Sequence, residues 1–183
     1  MISSFVTKSG KTAFLRYPTL SDVKLATDYI NTLSLEDTYI TFSGEQLTEE
    51  EEKKYINESL EKIEKGDMVK LYCFIGEELV AEGSVERDFR TRKRGIHRAM
   101  FGISVKKEYR EKGIGKFLMQ ALIEETRKRM LGIKVIILTV FGPNKNAINL
   151  YKSLGFVEYG RLPEGLFYKK EYLDYVHMYL DLK

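Results

Sequence analysis

The chain has 183 residues, 43% hydrophobic and 31% charged, with a net charge of only +3. That length can bury a substantial core without metal or disulfide support, and the charge is too small to argue for nucleic acid by itself. The one cysteine, Cys73, excludes an internal disulfide and fits a reducing compartment. With no long uncharged apolar run and no signal-peptide pattern, the cytoplasm is the expected location and no membrane contact is expected.

Residues 1–11 read as a mobile lead-in or an edge strand, and 13–17 as a short strand halted by Pro18. Ser21-Asp22 offers a cap to a helix over 23–33, and 35–46 is turn-rich. Thr48 followed by four glutamates opens a second helix, with acidic residues where the helix dipole favours them, and Gly66 ends it. Strands over 69–75 and 79–87 flank a hairpin loop. The basic run 90–98 leads into a strand at 97–105, whose His97, Ala99, Phe101, Ile103 and Val105 share a face. A long helix runs from Ile114 to about residue 130. The β-branched run 135–140 suggests a strand buried on both faces, and Asn144–Leu154 a helix stopped by Gly155. Strands at 156–160 and 175–182, joined by a mobile segment, close the chain. The expected class is α/β (α+β): one mixed, mostly antiparallel sheet of about six to seven strands with helices on both faces, in a single domain.

The chemistry gathers where the strand 97–105 meets the long helix, at Arg110-Glu111-Lys112-Gly113-Ile114-Gly115. Glycine allows close backbone approach, and the unpaired N–H groups of a helix start favour an anion. The spacing is neither GxGxxG nor a P-loop. Glycines that serve only packing are the competing reading of such a turn. About thirty residues on stands a second pattern, N-x-x-A-I-x-L-Y-x-x-x-G-F, from Asn144 to Phe156. By itself it could be the apolar stripe of a core helix.

Together, in this order and at this distance, the R-x-x-G-x-G turn and the Asn144–Phe156 pattern resemble the GNAT superfamily of acyl-CoA N-acyltransferases, over a cofactor core near 99–156. The resemblance implies transfer of the acetyl group of acetyl-CoA to a primary amine by direct attack through a tetrahedral intermediate. It implies pantetheine pairing beside Ile103, Ser104 and Val105. It places the pyrophosphate on the turn formed by Arg110, Glu111, Lys112, Gly113, Ile114, Gly115 and Lys116, with Asn144 and Asn149 near the cofactor. Tyr151 takes the family position of the acid that protonates the departing thiolate, and an ordinary phenol stays protonated at neutral pH. No metal is implied.

The base is not carried over. Ribosomal-protein acetylases of the family often have a glutamate where this chain has Thr139, and histone-acetylase relatives one where it has Ala99. Native candidates are Glu82 and Glu86, two turns of the pleat apart on one strand face, and His97, whose imidazole suits proton exchange near neutrality; each also has a structural reading, and a water relay is a full alternative. The strand 97–105 and the C-terminal stretch 172–182 resemble a subgroup of the family that holds protein N-terminal, polyamine and amino-acid acetylases. The resemblance implies a primary amine as acceptor: a small-molecule amine, such as a polyamine or amino acid, or a protein N-terminus. A non-catalytic CoA-binding sensor or ribosome-associated factor is the competing function. Homodimerisation is possible for the family, nucleic acid is a minor reading of the basic run, and Cys73 is a remote candidate acyl carrier.

Overall fold

In the computed structural model, which describes residues 1–36 and 38–183, the alternating stretches become eight strands. They are β1 (Ser3–Val6), β2 (Thr12–Arg16), β3 (Met68–Ile75), β4 (Glu78–Arg87), β5 (Arg98–Val105), β6 (Val135–Phe141), β7 (Val157–Tyr168) and β8 (Glu171–Asp181). The helical periods become α1 (Val23–Leu35), α2 (Glu49–Glu64), α3 (Ile114–Arg129) and α4 (Lys145–Ser153). Asp37, inside the turn-rich stretch, lies outside the described residues. The strand order is β1-β2-β3-β4-β5-β6-β8-β7, one strand more than the upper expectation. The extra strand is β1, which pairs antiparallel with β2 and is anchored by Phe5 stacking on Phe117 at 4.6 Å.

The chain divides into two compact units, Met1–Glu86 with Gly102–Leu131, and Arg87–Phe101 with Gly132–Lys183. In the first unit, the period of two along β3 sorts its side chains to opposite faces. Tyr72 and Phe74 join Ala26, Tyr29 and Leu33 of α1 and Ile56 of α2 in one apolar cluster. Val69, Leu71 and Cys73, all fully buried, face the other way. Leu71 stands opposite Gly83 on β4, and a Cβ added to Gly83 would lie 2.7 Å from Leu122 of α3. The missing side chain of Gly83 is thus what lets α3 settle on this face. Helices therefore cover both faces of this unit, as the sequence suggested. Thr48 caps α2 in the expected reciprocal box with Glu51.

In the second unit, β5 pairs parallel with β6, from Arg98↔Val135 to Met100↔Ile137, and β8 lies antiparallel between β6 and β7. The strand β6 is not buried on both faces. Ile136, Leu138 and Val140 are buried while Val135, Ile137 and Thr139 are half-buried, and Ile137, Leu138 and Thr139 line a cavity of about 210 Å³. The strand β5 begins at Arg98, leaving His97 in the preceding turn. Nor is the closing segment mobile: β7 and β8 are long and joined by Lys169 and Lys170 alone, with φ of +49° and +67°. Two consecutive positive φ values make the two-residue turn whose twist suits a hairpin. Lysines there carry no Asn-Gly signature, and Pro163 and Gly165 fall in the irregularity between Leu162 and Leu166, so this stretch reads as broken.

Candidate active site

The start of α3 is a left-handed turn. Glu111 has φ +62° and Gly113, the residue before the helix, φ +88°. The amides of Ile114, Gly115 and Lys116 then have no carbonyl one turn back to bond. With the basic residues Arg110, Lys112 and Lys116 in the same stretch, these amides make a backbone arrangement that favours an anion. Arg110 is held by neighbours: its Nε donates to the Val105 carbonyl at 2.9 Å and its guanidinium pairs with Glu36. Glu36 also accepts from the Lys107 amide at 3.1 Å, so the turn and the end of β5 are tied to the end of α1. Gly113→Ala is expected to cost about 1–2 kcal/mol, because an L side chain resists that φ. Phe5, 3.3 Å from the added methyl, must also give way. Thermal unfolding with calorimetric titration of acetyl-CoA should show lower stability and weaker binding together.

Each of the two strand glutamates is paired with a lysine. Glu86 pairs with Lys62 of α2 at 2.7 Å in a half-exposed bridge. Glu82 lies 2.7 Å from Lys70, whose side chain is 2% exposed. Burial works against the charge of Lys70, yet Glu82 and the surrounding phenols outweigh it and hold the ammonium above the ordinary lysine range. The ammonium also lies over the rings of Tyr55 and Tyr72, at 4.8 and 5.4 Å from their centroids. Tyr29 of α1 bonds the Glu82 backbone and shares a 2.9 Å hydrogen bond with Ser104 of β5. One candidate base is therefore linked through a tyrosine to the strand end where pantetheine is expected.

Glu52, on α2, was missed by sequence reading because it looks like one more acidic residue at a helix start. It is 5% exposed. Burial, with the negative charge of Glu82, pushes its carboxyl up to about 7, against the pull of Lys70.

In the second unit Asn144 caps α4, its Oδ1 accepting from the Ala147 amide at 3.2 Å, so its carbonyl oxygen is committed and its amide N–H groups are what a ligand could use. Asn149 is exposed. Tyr151 is buried against Phe156, ring centroids 6.0 Å apart, and burial pushes its phenol up to about 12. His97 is exposed, and its carbonyl accepts from the Lys134 amide at 2.8 Å. It does not share a strand face with Ala99. Arg90 and Arg98 of the basic run close on buried Asp88 at 2.8 and 3.1 Å, while Arg92, Lys93 and Arg94 stay exposed. Thr139 stands opposite His177 on β8, and both line the 210 Å³ cavity with Tyr159 and Tyr175. Sequence reading did not single out His177, since register across two strands is invisible in a linear pattern. The Cys73 thiol is fully buried and pushed up to about 12, which removes it as a nucleophile at neutral pH. Among the described residues no group of His, Cys, Asp and Glu is arranged to hold a metal.

The Acetyltransferase (GNAT) family model matches residues 31–156, well over half the chain, and the chain belongs to that family. It is similar to the ribosomal protein bS18 alanine N-acetyltransferase of Escherichia coli, 42% identical over 59 residues, 32% of this chain and 38% of that protein. It is also similar to an L-amino acid N-acetyltransferase of E. coli, 34% identical over 96 residues, 52% of this chain and 59% of that protein. The matched stretches thus span less than two thirds of either relative. In fold it is similar to a GNAT-family acetyltransferase from Streptococcus pneumoniae, with a TM-score of 0.84 and 25% identity, covering 93% of this chain and 99% of that one.

Proposed function

We propose that the chain is an N-acetyltransferase, a single GNAT-like domain that moves the acetyl group of acetyl-CoA to a primary amine. The observation that carries this reading is the left-handed, basic turn at the start of α3, where Gly113 exposes helix amides next to the end of β5. Its backbone suits a diphosphate and gives no support to a dinucleotide or P-loop nucleotide site. Acetyl-CoA supplies the activated thioester. The amides of Gly113–Lys116 and the side chains of Lys112 and Lys116 hold its phosphates, backbone groups of Ile103, Ser104 and Val105 orient its pantetheine, and Asn144 and Asn149 contribute polar contacts. Tyr151 assists the departing sulfur. Among the described residues no helix is long and apolar enough to cross a membrane.

A thiol-release assay with acetyl-CoA and a panel of peptide N-termini, polyamines and amino acids tests the reading. CoA release with one class of amine supports it. Tight acetyl-CoA binding without release for any amine overturns it in favour of a non-catalytic CoA-binding protein.

A further inference from the structure

Two buried polar groups in the first unit lack what they need. The Tyr72 hydroxyl is sealed from solvent with no hydrogen-bond partner among the described residues, and Tyr72 is fully buried. The Glu52 carboxylate, in a residue 5% exposed, has no hydrogen bond or ion pair among the described residues. Unlike the Tyr72 hydroxyl, its oxygens are not fully sealed, so something outside can reach them. Buried polar groups in native structures are almost always satisfied, by protein, by water or by a ligand, so a pair left unmet in one cluster marks a place where a polar guest can bind. Both feel the same neighbours, Glu82 and Lys70. Once Glu52 ionises, two carboxylates face one ammonium, and a second cation with N–H donors would balance them. Tyr29 links this place through Ser104 to the strand expected to hold the thioester.

We propose that Glu52, with Glu82 beside it, receives the acceptor as an ammonium and removes its proton, and that the site takes amines carrying no α-carboxylate. The inference rests on the transferase reading. Of the three ammonium hydrogens, one passes to the Glu52 carboxylate and on to solvent. The freed lone pair forms the N–C bond as the C–S bond breaks, one hydrogen ends on the sulfur as CoA thiol, and one remains on the amide. Two acids already crowd the position beside the ammonium, so an α-carboxylate there meets like charge. Burial and Glu82 hold Glu52 near the protonation range an efficient base needs. The groups acting on it are Lys70 and Tyr72 on β3 and Glu82 on β4, with Tyr55 of its own helix lying against Lys70; of these only Lys70 is a cation.

The test compares L-alaninamide with L-alanine as acceptors, in wild type and in Glu52→Gln, by thiol release across pH 5.5–9 (about the range in which such a base titrates). Alaninamide should exceed alanine at least about ten-fold in kcat/KM. Glu52→Gln should lose about 10²-fold or more together with the acidic limb of the pH profile, while its melting temperature is not lowered and acetyl-CoA affinity is kept. Preference for alanine, or a Gln variant with wild-type rate and pH profile, overturns the proposal and leaves the transferase reading standing. No release from any amine in wild type overturns both.

Discussion

Lys70→Met is expected to destabilise the protein by about 3–5 kcal/mol, the cost of breaking a buried ion pair by removing one partner. The ammonium it removes is 2.7 Å from Glu82, 2% exposed, and flanked by two tyrosine rings. Methionine refills most of the volume, so packing loss is small and the effect is electrostatic. Glu82 and Glu52 would then face each other with no cation between them. Against a total stability of about 5–15 kcal/mol for a typical domain, that is a large fraction. Thermal unfolding should show a fall of about 10–15 °C, and the double variant Lys70→Met with Glu82→Gln should recover most of it. A single variant melting within a few degrees of wild type would mean the pair contributes little.

The same cluster sets a pH dependence whose sign is opposite to the usual acid case. Glu52 has a folded-state pKa raised to about 7. The folded chain therefore binds a proton there that the unfolded chain has released, and stability falls as pH climbs from the ordinary carboxylate range through about 7. The loss amounts to up to about 3 kcal/mol. In Glu52→Gln this decline between about pH 5 and 8 disappears, so at pH 8 the variant outlasts wild type in denaturant. A carboxyl that costs stability and has no partner among the described residues is the arrangement the proposed role needs.

The two motifs were legible in sequence because each couples a local backbone demand to a residue type. Gly113 sits where φ is +88°, and Asn144 where a helix needs a cap. The helix α2 and the hairpin β3–β4 were legible for the same reason: caps, turn length and period are local. What escaped was set by distant pairing. Of the two readings of residues 1–11, the edge strand is realised by pairing with β2, and its anchor, Phe5 on Phe117, lies more than a hundred residues on. The burial of Glu52 depends on β3 and β4 lying beneath α2, and its run of glutamates hides that one of them turns inward. His177 acquires a place in the cavity through its register with Thr139.

Tyr151→Phe is expected to lower kcat by about 10–100-fold, less than the 10²–10⁴ of a full general acid, while leaving acetyl-CoA affinity and the melting temperature nearly unchanged. The reason lies in the acidities. Burial holds the phenol up to about 12, whereas an ordinary thiol ionises near about 8.5, so complete proton transfer from Tyr151 to a departing thiolate runs uphill by about 5 kcal/mol. A thiolate is also a competent leaving group on its own. Tyr151 is then best placed to donate a hydrogen bond to sulfur as negative charge builds, with the amine's surplus proton completing the thiol. Phenylalanine keeps the ring against Phe156, so the fold is spared. Steady-state kinetics with calorimetric titration of acetyl-CoA distinguishes the possibilities: an unchanged kcat removes Tyr151 from the chemistry, whereas a loss beyond about 10⁴-fold would mean the phenol gives up its proton outright and that its acidity in the loaded site is far greater than burial alone allows.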